Sequence, residues 1–441
     1  MQETQDSRGR AKILEASIYS GASGVSVPVM NYLQSVTIHE DIYTPFVSCS
    51  VVFIDYESVA NRFPLAGEEY FHIKFQSYQG RVIDYNFFLY KSHNIGSTPL
   101  NTLRGMELRG VSLEYAFDRA KTVTQAFRGT HSSIVAEIFD TYIQKDAGGL
   151  DLSYEPSRGV VKVIPAFWSP LETIEYCRSR AIASSAVKSP FVFFRNVDGY
   201  FFRSLSGLFS EMSTKAEASI VHTYAPRTVS ATFDERAEVP GARVDIVDYH
   251  INSYYDTMEK INYGAYSSDS YSFDILTKAF ILNKRFNLSE VGGGFQLGGQ
   301  GGVFNRPSFV EAFKDTRCSV SYVPTNIANE IDGDGSKDFY PDFTGEKMSY
   351  SNLVGEYNFR ATLYGDTDLT AGQVMSISVP RSQDTDTQTA KRTEQDKMFK
   401  GSFLVTRLEH VITFNTNIDY YVIISAVNGA RDDTIEGVRD A

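Results

Sequence analysis

His39 opens the stretch HEDIY at 39–43, which begins like the H-E-x-x-H of a zinc protease. That motif needs a second imidazole one helical turn on to clasp the metal, and Tyr43 stands there instead. No two of the seven His residues fall at helical spacing, so zinc chemistry is not supported and these histidines read as surface or core residues. Asp332, Asp334, Ser336 and Asp338 place oxygens at alternate positions, as the start of a calcium-binding EF-hand loop does. Lys337 takes the position that needs glycine, and Phe343 stands where the bidentate glutamate belongs. The four residues are thus an incomplete metal loop, and a solvated acidic loop explains them more simply. GGGFQLGGQGG at 292–302 offers backbone amides to an anion but opens no capped helix, so it reads as a connector. There is no G-x-S-x-G elbow and no G-K-[ST] phosphate cradle. No catalytic set and no cofactor site is legible, and a non-enzymatic protein is expected.

The composition turns attention to scaffolding. Tyr and Phe are abundant, at 27 and 31 against one Trp, which favours sheets over helical bundles. The net charge of −12 disfavours a nucleic-acid-binding surface, because phosphate contacts need clustered Lys and Arg. It is compatible with a wall past which DNA slides without sticking. Cys49, Cys177 and Cys318 are odd in number and far apart, which argues against a disulfide framework and for synthesis in a reducing compartment. The opening MQETQDSRGR lacks an apolar leader core, and no apolar run approaches the ~18 residues of a membrane span. A soluble chain is expected.

Periodicity divides the chain. Val36 and Ile38, then Val47, Cys49, Val51 and Phe53, then Phe71, Ile73 and Phe75 alternate with polar residues, predicting three strands. Two more follow around YNFFLYKSHNI and RGMELRGVSLE, so 1–115 reads as a first antiparallel β-barrel or sheet. Residues 116–225 read as α+β. Thr130 caps a helix whose stripe is Ile134, Ile138 and Tyr142. Ser169, Pro170 and Glu172 make a capping box before a second helix, which buries Leu171, Ile174, Cys177 and Ala181. A hairpin turning at Asp198–Gly199 comes next, and Trp168 reads as a packing anchor. Residues 226–265 and 355–430 read as a second, discontinuous barrel, with strands around Gly365–Gly372. Residues 266–354 read as irregular, an inserted peripheral subdomain, and 431–441 as a charged tail. The polar run DTDTQTAKRTEQD reads as a mobile loop. In the closing hairpin, Phe403 and Val405 share one phase while Leu408, Ile412 and Phe414 share the other, predicting a bulge or coil near Thr406–Arg407. The returning YYVIISAV is apolar on both faces, which predicts burial on both sides.

The order of these parts resembles the central baseplate hub proteins of contractile-tailed bacteriophages. The likeness lies in Glu40–Asp41, Tyr43, Pro45, Asp55, Pro64, Gly67 and Glu68. It continues in PAFWSPLETIEYCRSRAI, in Gly264, Tyr266 and Asp274, in the Gly365–Thr367 turn, and in Gly372, Gly401 and His410. It covers roughly 30–280 and 355–428, and leaves 281–354 unmatched. The type VI secretion spike proteins share the hub architecture but continue into an OB-fold and a β-helix, so a separate spike polypeptide is expected here. The resemblance implies a mainly β fold with α+β, in which two similar antiparallel β-barrels form a tube-like ring. It implies a homotrimer at the centre of the virion's tail baseplate, assembled in the host cytoplasm. Its partners would be a tail spike protein, tube and tube-initiator proteins and a tape measure protein, with DNA passing unbound. Residues 32–115 and the set 226–265 plus 355–430 would share one topology. The rivals are a receptor- or glycan-binding tail protein, the hub of a phage-derived injection particle, or a peptidoglycan hydrolase, for which no carboxylate pair is found.

Overall fold

The computed structural model describes residues 9–21, 24–55, 67–77, 80–97, 104–185, 187–209, 223–226, 242–251, 257–274, 277–288, 319–325, 329–330, 339–354, 357–377, 401–415 and 417–428. The fold is mainly β with α+β, as expected. The predicted N-terminal strands form as β3 (Leu33–Asp41), β4 (Ser48–Asp55), β5 (Glu69–Ser77), β6 (Val82–Ser97) and β7 (Arg104–Ser112). Val36, Ile38, Val47, Cys49, Val51, Phe53, Phe71, Ile73 and Phe75 all lie in the core. Two strands precede them, β1 (Ala11–Ser20) and β2 (Ser26–Pro28). Periodicity misses β1 because its register shifts between Ile13 and Glu15, which breaks the alternation.

The C-terminal set comprises β13 (Thr223–Pro226), β14 (Ala242–Ile251), β19 (Tyr357–Tyr364), β20 (Val374–Ile377), β21 (Gly401–Phe414) and β22 (Ile418–Asn428). One thirteen-stranded sheet of described residues joins both sets, ordered β2-β1-β5-β6-β7-β4-β3-β21-β20-β13-β14-β19-β22, with β21 also paired to β22. The two sets follow the same plan. Taking β1, β3, β4, β5, β6 and β7 as first to sixth, the neighbours run first, fourth, fifth, sixth, third, second. β13, β14, β19, β20, β21 and β22 run in that order too. Two details differ. In the second set β13 lies parallel to β14 and β20, so the ladders complete a circuit that is not wholly antiparallel. In the first, no ladder joins β1 to β3 among the described residues. Instead the start of β1 reaches the hairpin β21–β22, through a bridge from Arg10 to Asp419 and a hydrogen bond from Tyr420 N to Gly9 O at 2.6 Å.

The hairpin therefore serves both sets. The bulge expected near Thr406–Arg407 is present: the register of β21 against β22 shifts between Val405 and Arg407. Thr406 is held there by Ile42 N, which donates to its carbonyl at 3.0 Å, and by its own hydroxyl, which donates to Ser425 O at 3.0 Å. Phe403 and Val405 are buried before the bulge and Leu408, His410 and Ile412 after it. On β22, Tyr420, Val422, Ile424 and Ala426 are fully buried, while Tyr421, Ile423 and Ser425 are only half-buried. Burial on both faces is thus incomplete in the single chain.

The middle unit packs its own core. Helix α1 (Leu113–Asp118) leads out of β7, followed by α2 (His131–Ile138), capped by the Thr130 side chain accepting from Ser133 N, and α3 (Pro170–Arg180) with its full capping box. Strands β11 (Phe191–Asn196) and β12 (Gly199–Ser204) form the expected hairpin. Ile134 and Ile138 are buried, Tyr142 packs at the margin of the same core, and Leu171, Ile174, Cys177 and Ala181 line it. Trp168 is half-buried, packed on Tyr176 with ring centroids 5.1 Å apart. The described parts of 266–354 are regular where the sequence predicts irregular structure. They include β15 (Ser267–Asp274), β16 (Phe280–Asn287) and β17 (Ser319–Thr325) in one small sheet. They also include the helix Tyr340–Val354, which packs on that sheet. Gly345 lets the helix approach closely, since a Cβ there would lie 2.4 Å from Ser268 Oγ and 2.8 Å from Phe286 Cβ. The run 384–396 and the loop 292–302 lie outside the described residues.

Deleting Thr406 removes the extra residue of the bulge while leaving Leu408 and Ile412 opposite the buried Ile424 and Tyr420. The cost is then that of the two hydrogen bonds Thr406 makes, ~1–3 kcal/mol together. A thermal melt of the deletion variant should show a lowered midpoint with the native transition retained; a midpoint equal to the parent's would contradict this role.

Candidate functional site

Asp332, Asp334, Ser336 and Asp338 lie outside the described residues, so the structure does not test the calcium loop. Among the described residues, no group of three His, Cys, Asp or Glu side chains could hold a metal ion. The HEDIY stretch is not helical: His39, Glu40 and Asp41 lie on β3, so Glu40 points inward while His39 is partly exposed beside Glu409 at 3.7 Å. Cys49 and Cys177 are free and buried, and burial pushes the Cys177 thiol up to about 12.

Among the described residues a densely bonded seam is centred on the loop between β19 and β20 (365–373). Its residues Asp366, Thr367, Leu369, Thr370 and Ala371 are buried. Gly365 N donates to Tyr420 O at 2.9 Å, and Tyr420 Oη donates to Asp366 O at 3.3 Å. Gly365 is required by close approach: a Cβ would lie 1.8 Å from the Tyr420 ring. Gly372 N donates to Val405 O at 2.8 Å, and Val405 N to Gln373 O at 2.9 Å, which fixes the loop to β21 at its bulge.

The same loop grips the N-terminal set. Thr367 Oγ1 lies 3.0 Å from Ser77 Oγ at the end of β5. Arg81, at the β5–β6 turn, donates from Nε to Thr367 O at 2.9 Å and from its backbone N to Asp368 Oδ1 at 3.0 Å. Ala371 N donates to Glu40 Oε2 at 3.0 Å, reaching β3. The middle unit joins through its β11–β12 turn. Asn196 Nδ2 donates to Ala371 O at 2.9 Å, and Asp198 pairs with Arg81. A second tie runs from α1 to β11, where Arg195 donates to Glu114 at 2.6 Å in a nearly dry setting. Burial alone would lower the Arg195 pKa, but the Glu114 charge more than offsets it and the guanidinium stays charged.

Of the residues singled out in the sequence, Glu40, Gly365, Asp366, Thr367, Gly372 and His410 meet in this seam. Asp41 instead caps the neighbouring turn, accepting from Tyr43 N at 2.9 Å and pairing with Arg407 at 2.8 Å. Tyr43 is exposed, Asp55 is buried, Gly67 has φ +92° and donates to Glu69 Oε2, and Gly264 and Asp274 bound a turn and a strand of the insertion. Pro64 lies outside the described residues. Sequence reading misses Ser77, Arg81, Asn196 and Tyr420, because nothing in their local patterns marks them. Their partners lie as far as 290 positions away.

No family model matches the chain, and no curated protein matches it. Solved structures do. The tail protein from Neisseria meningitidis MC58 has a TM-score of 0.51 and 10% identity, over 94% of this chain and 96% of that one. The 43 kDa tail protein of prophage MuSo2 from Shewanella oneidensis has 0.46 and 9%, over 94% and 98%. An E. coli component of the type VI secretion system has 0.41 and 9%, over 95% and 76%. The chain therefore shares, nearly end to end, the fold of the Neisseria tail protein.

Replacing Asn196 by Ala orphans the buried Ala371 carbonyl and should cost ~1–3 kcal/mol in denaturant unfolding. Asp198→Asn, at a partly exposed pair, should cost under ~1 kcal/mol. Gly365→Ala should exceed ~3 kcal/mol, because the Tyr420 ring has no free side to move into. Equal effects for Asn196→Ala and Asp198→Asn would show that the seam is not closed by its buried contacts.

Proposed function

We propose that this chain is a structural hub subunit of a contractile phage tail baseplate, or of a tail-like particle derived from one. One observation carries the reading: two six-strand sets with the same neighbour order stand side by side in one polypeptide. A closed ring repeats its interface, so three such chains display six near-equivalent strand sets. A ring of that kind mates with a sixfold tube on one side and a threefold spike on the other. The fold shared with a tail protein over 94% of the chain supports this reading. The role is mechanical rather than catalytic. The seam locks the two sets in a fixed relation, which a symmetry adaptor needs.

Surfaces left open in the single chain fit assembly. Tyr19, Tyr70 and Phe88 stand opposite one another across β1, β5 and β6, and Phe117 continues the row with its ring 6.1 Å from Phe88. Tyr421 and Ile423 on the outer face of β22 are likewise half-covered. Aromatic rows of this kind are usual at protein contacts. The ring would surround a channel for the tape measure and then DNA, and with a net charge of −12 its wall would not bind DNA through counterion release. A spike and tube proteins complete the set of partners, at the centre of the virion's baseplate.

A second reading has an observation of its own. Tyr271, Phe280 and Tyr322 cluster on the outer face of the β15–β16–β17 sheet, with Phe280 57% and Tyr322 68% exposed. Exposed aromatic rings suit a glycan receptor, and binding on a glycan array lost on Tyr322→Ala would favour it over the hub.

Light scattering on the chain with its co-expressed spike should give the mass of three copies of the chain in addition to that of the spike. A monomer under those conditions would overturn the ring. Binding of DNA that is tight and weakens steeply with salt would contradict the inert channel.

A further inference from the structure

At the centre of the seam, a carboxyl group and an imidazole face each other without a cation in contact. Glu40 and His410 are both fully buried. Glu40 lies on β3 opposite Leu408 of β21, and His410 follows two residues along the same strand. Glu40 Oε1 accepts from Tyr85 Oη at 2.5 Å and Oε2 from Ala371 N at 3.0 Å; both donors are neutral. His410 Nδ1 lies 2.7 Å from Tyr420 Oη, and that hydroxyl donates onward to Asp366 O. With the Tyr420 hydrogen directed to Asp366 O, the hydrogen between Nδ1 and Tyr420 is assigned to the ring, and in that tautomer Nε2 is a bare lone pair. Among the described residues Nε2 has no hydrogen-bond partner, and it lies 4.0 Å from Glu40 Oε1.

An ionised Glu40 would set a buried anion against a buried lone pair, two acceptors with no donor between them. One proton on the carboxyl removes the conflict. The other groups nearby are Arg81 from the β5–β6 turn, Asp198 from the β11–β12 turn, Asp366 and Asp368 from the seam loop, and His39 from β3. Arg195 from β11 stands beyond Tyr85. Arg81 is engaged with Thr367 and Asp198, so none of these groups supplies the missing donor.

We propose that Glu40 and His410 hold one proton between them as a neutral acid–base pair, and that this pairing keeps the seam equally tight across a mildly acidic range. Burial pushes Glu40 up to about 7 from 4.5, and pushes His410 down to about 3 from 6.5. The folded protein thus keeps a proton on Glu40 up to about pH 7, and the unfolded chain only up to 4.5. Taken alone, Glu40 makes stability fall as pH rises from 4.5 to about 7. His410 acts with the opposite sign. It stays neutral in the fold down to about pH 3, while the unfolded chain protonates it below 6.5, so its contribution falls as pH drops through that range. Between 4.5 and 6.5 both states bind one proton at these two sites, and the slopes cancel.

The test is the stability of the full chain against pH for the parent, Glu40→Gln and His410→Gln. The parent-minus-Glu40→Gln difference should fall as pH rises from 4.5 to 6.5, by about a hundredfold in the folding constant. The parent-minus-His410→Gln difference should rise by a similar factor. A flat difference curve for either variant overturns the shared proton; a purely structural role would shift each curve without tilting it. If a variant fails to fold, infrared spectroscopy of the parent decides alone. A buried carboxylic acid carbonyl band should be present at about pH 6 and vanish by about pH 8. Its absence at about pH 6 would also overturn the pairing.

Discussion

The structure depends on one strand having two duties. β21 pairs with β20 through Gly401–Leu404 and with β3 through Arg407–Thr413, and it keeps β22 along nearly its whole length. A regular strand presents one face to one core. The bulge at Thr406 takes up a one-residue phase change, so that Phe403 and Val405 before it and Leu408, His410 and Ile412 after it all stay on the buried face of the hairpin while the strand changes partner from β20 to β3. Every later feature follows from that shift. The two sets abut rather than hang on a linker, so the loop 365–373 has to be buried between them. A buried loop must satisfy its polar backbone, which explains why Ser77, Arg81, Glu40 and Asn196 converge on it.

Much of this was legible where a local pattern carries the information. The alternation of Val47, Cys49, Val51 and Phe53, the capping box at Ser169–Glu172 and the phase change across Thr406 are all local, and each forms as read. β1 was not legible, because its own register shift hides its period. The insertion was misread for a different reason. β15 runs Ser-Ser-Asp-Ser and still lies buried, because Ser268 and Ser270 face a helix that comes close enough to bond them or to need a glycine. Polar sequence there reports close backbone approach rather than solvent. The seam was legible only in part. Glu40, Gly365–Thr367 and His410 stand out through their place in a resemblance, but their bonding partners are tertiary. The Glu40–Ala371 contact spans 331 positions, a distance at which single-sequence patterns are silent.

The functional reading rests on what a rigid double unit can do. Matching strand order without recognisable repetition in the sequence is the expected mark of a constraint on shape rather than on residues. The Neisseria tail protein, which shares this fold at 10% identity, fits the same view. The middle unit and the insertion branch from the two sets at α1 and at β14. The seam ties the middle unit's turn back to them, and Phe286, Tyr350 and Val354 of the insertion join the main core.

Electron cryomicroscopy of the chain assembled with its spike tests this account most directly. The account predicts three chains around an open axis, with six strand sets alternating at near-equal spacing and the β3–β21 ladder intact in each. A twofold or open assembly, or a ring in which the two sets of one chain lie at different radii, would contradict it.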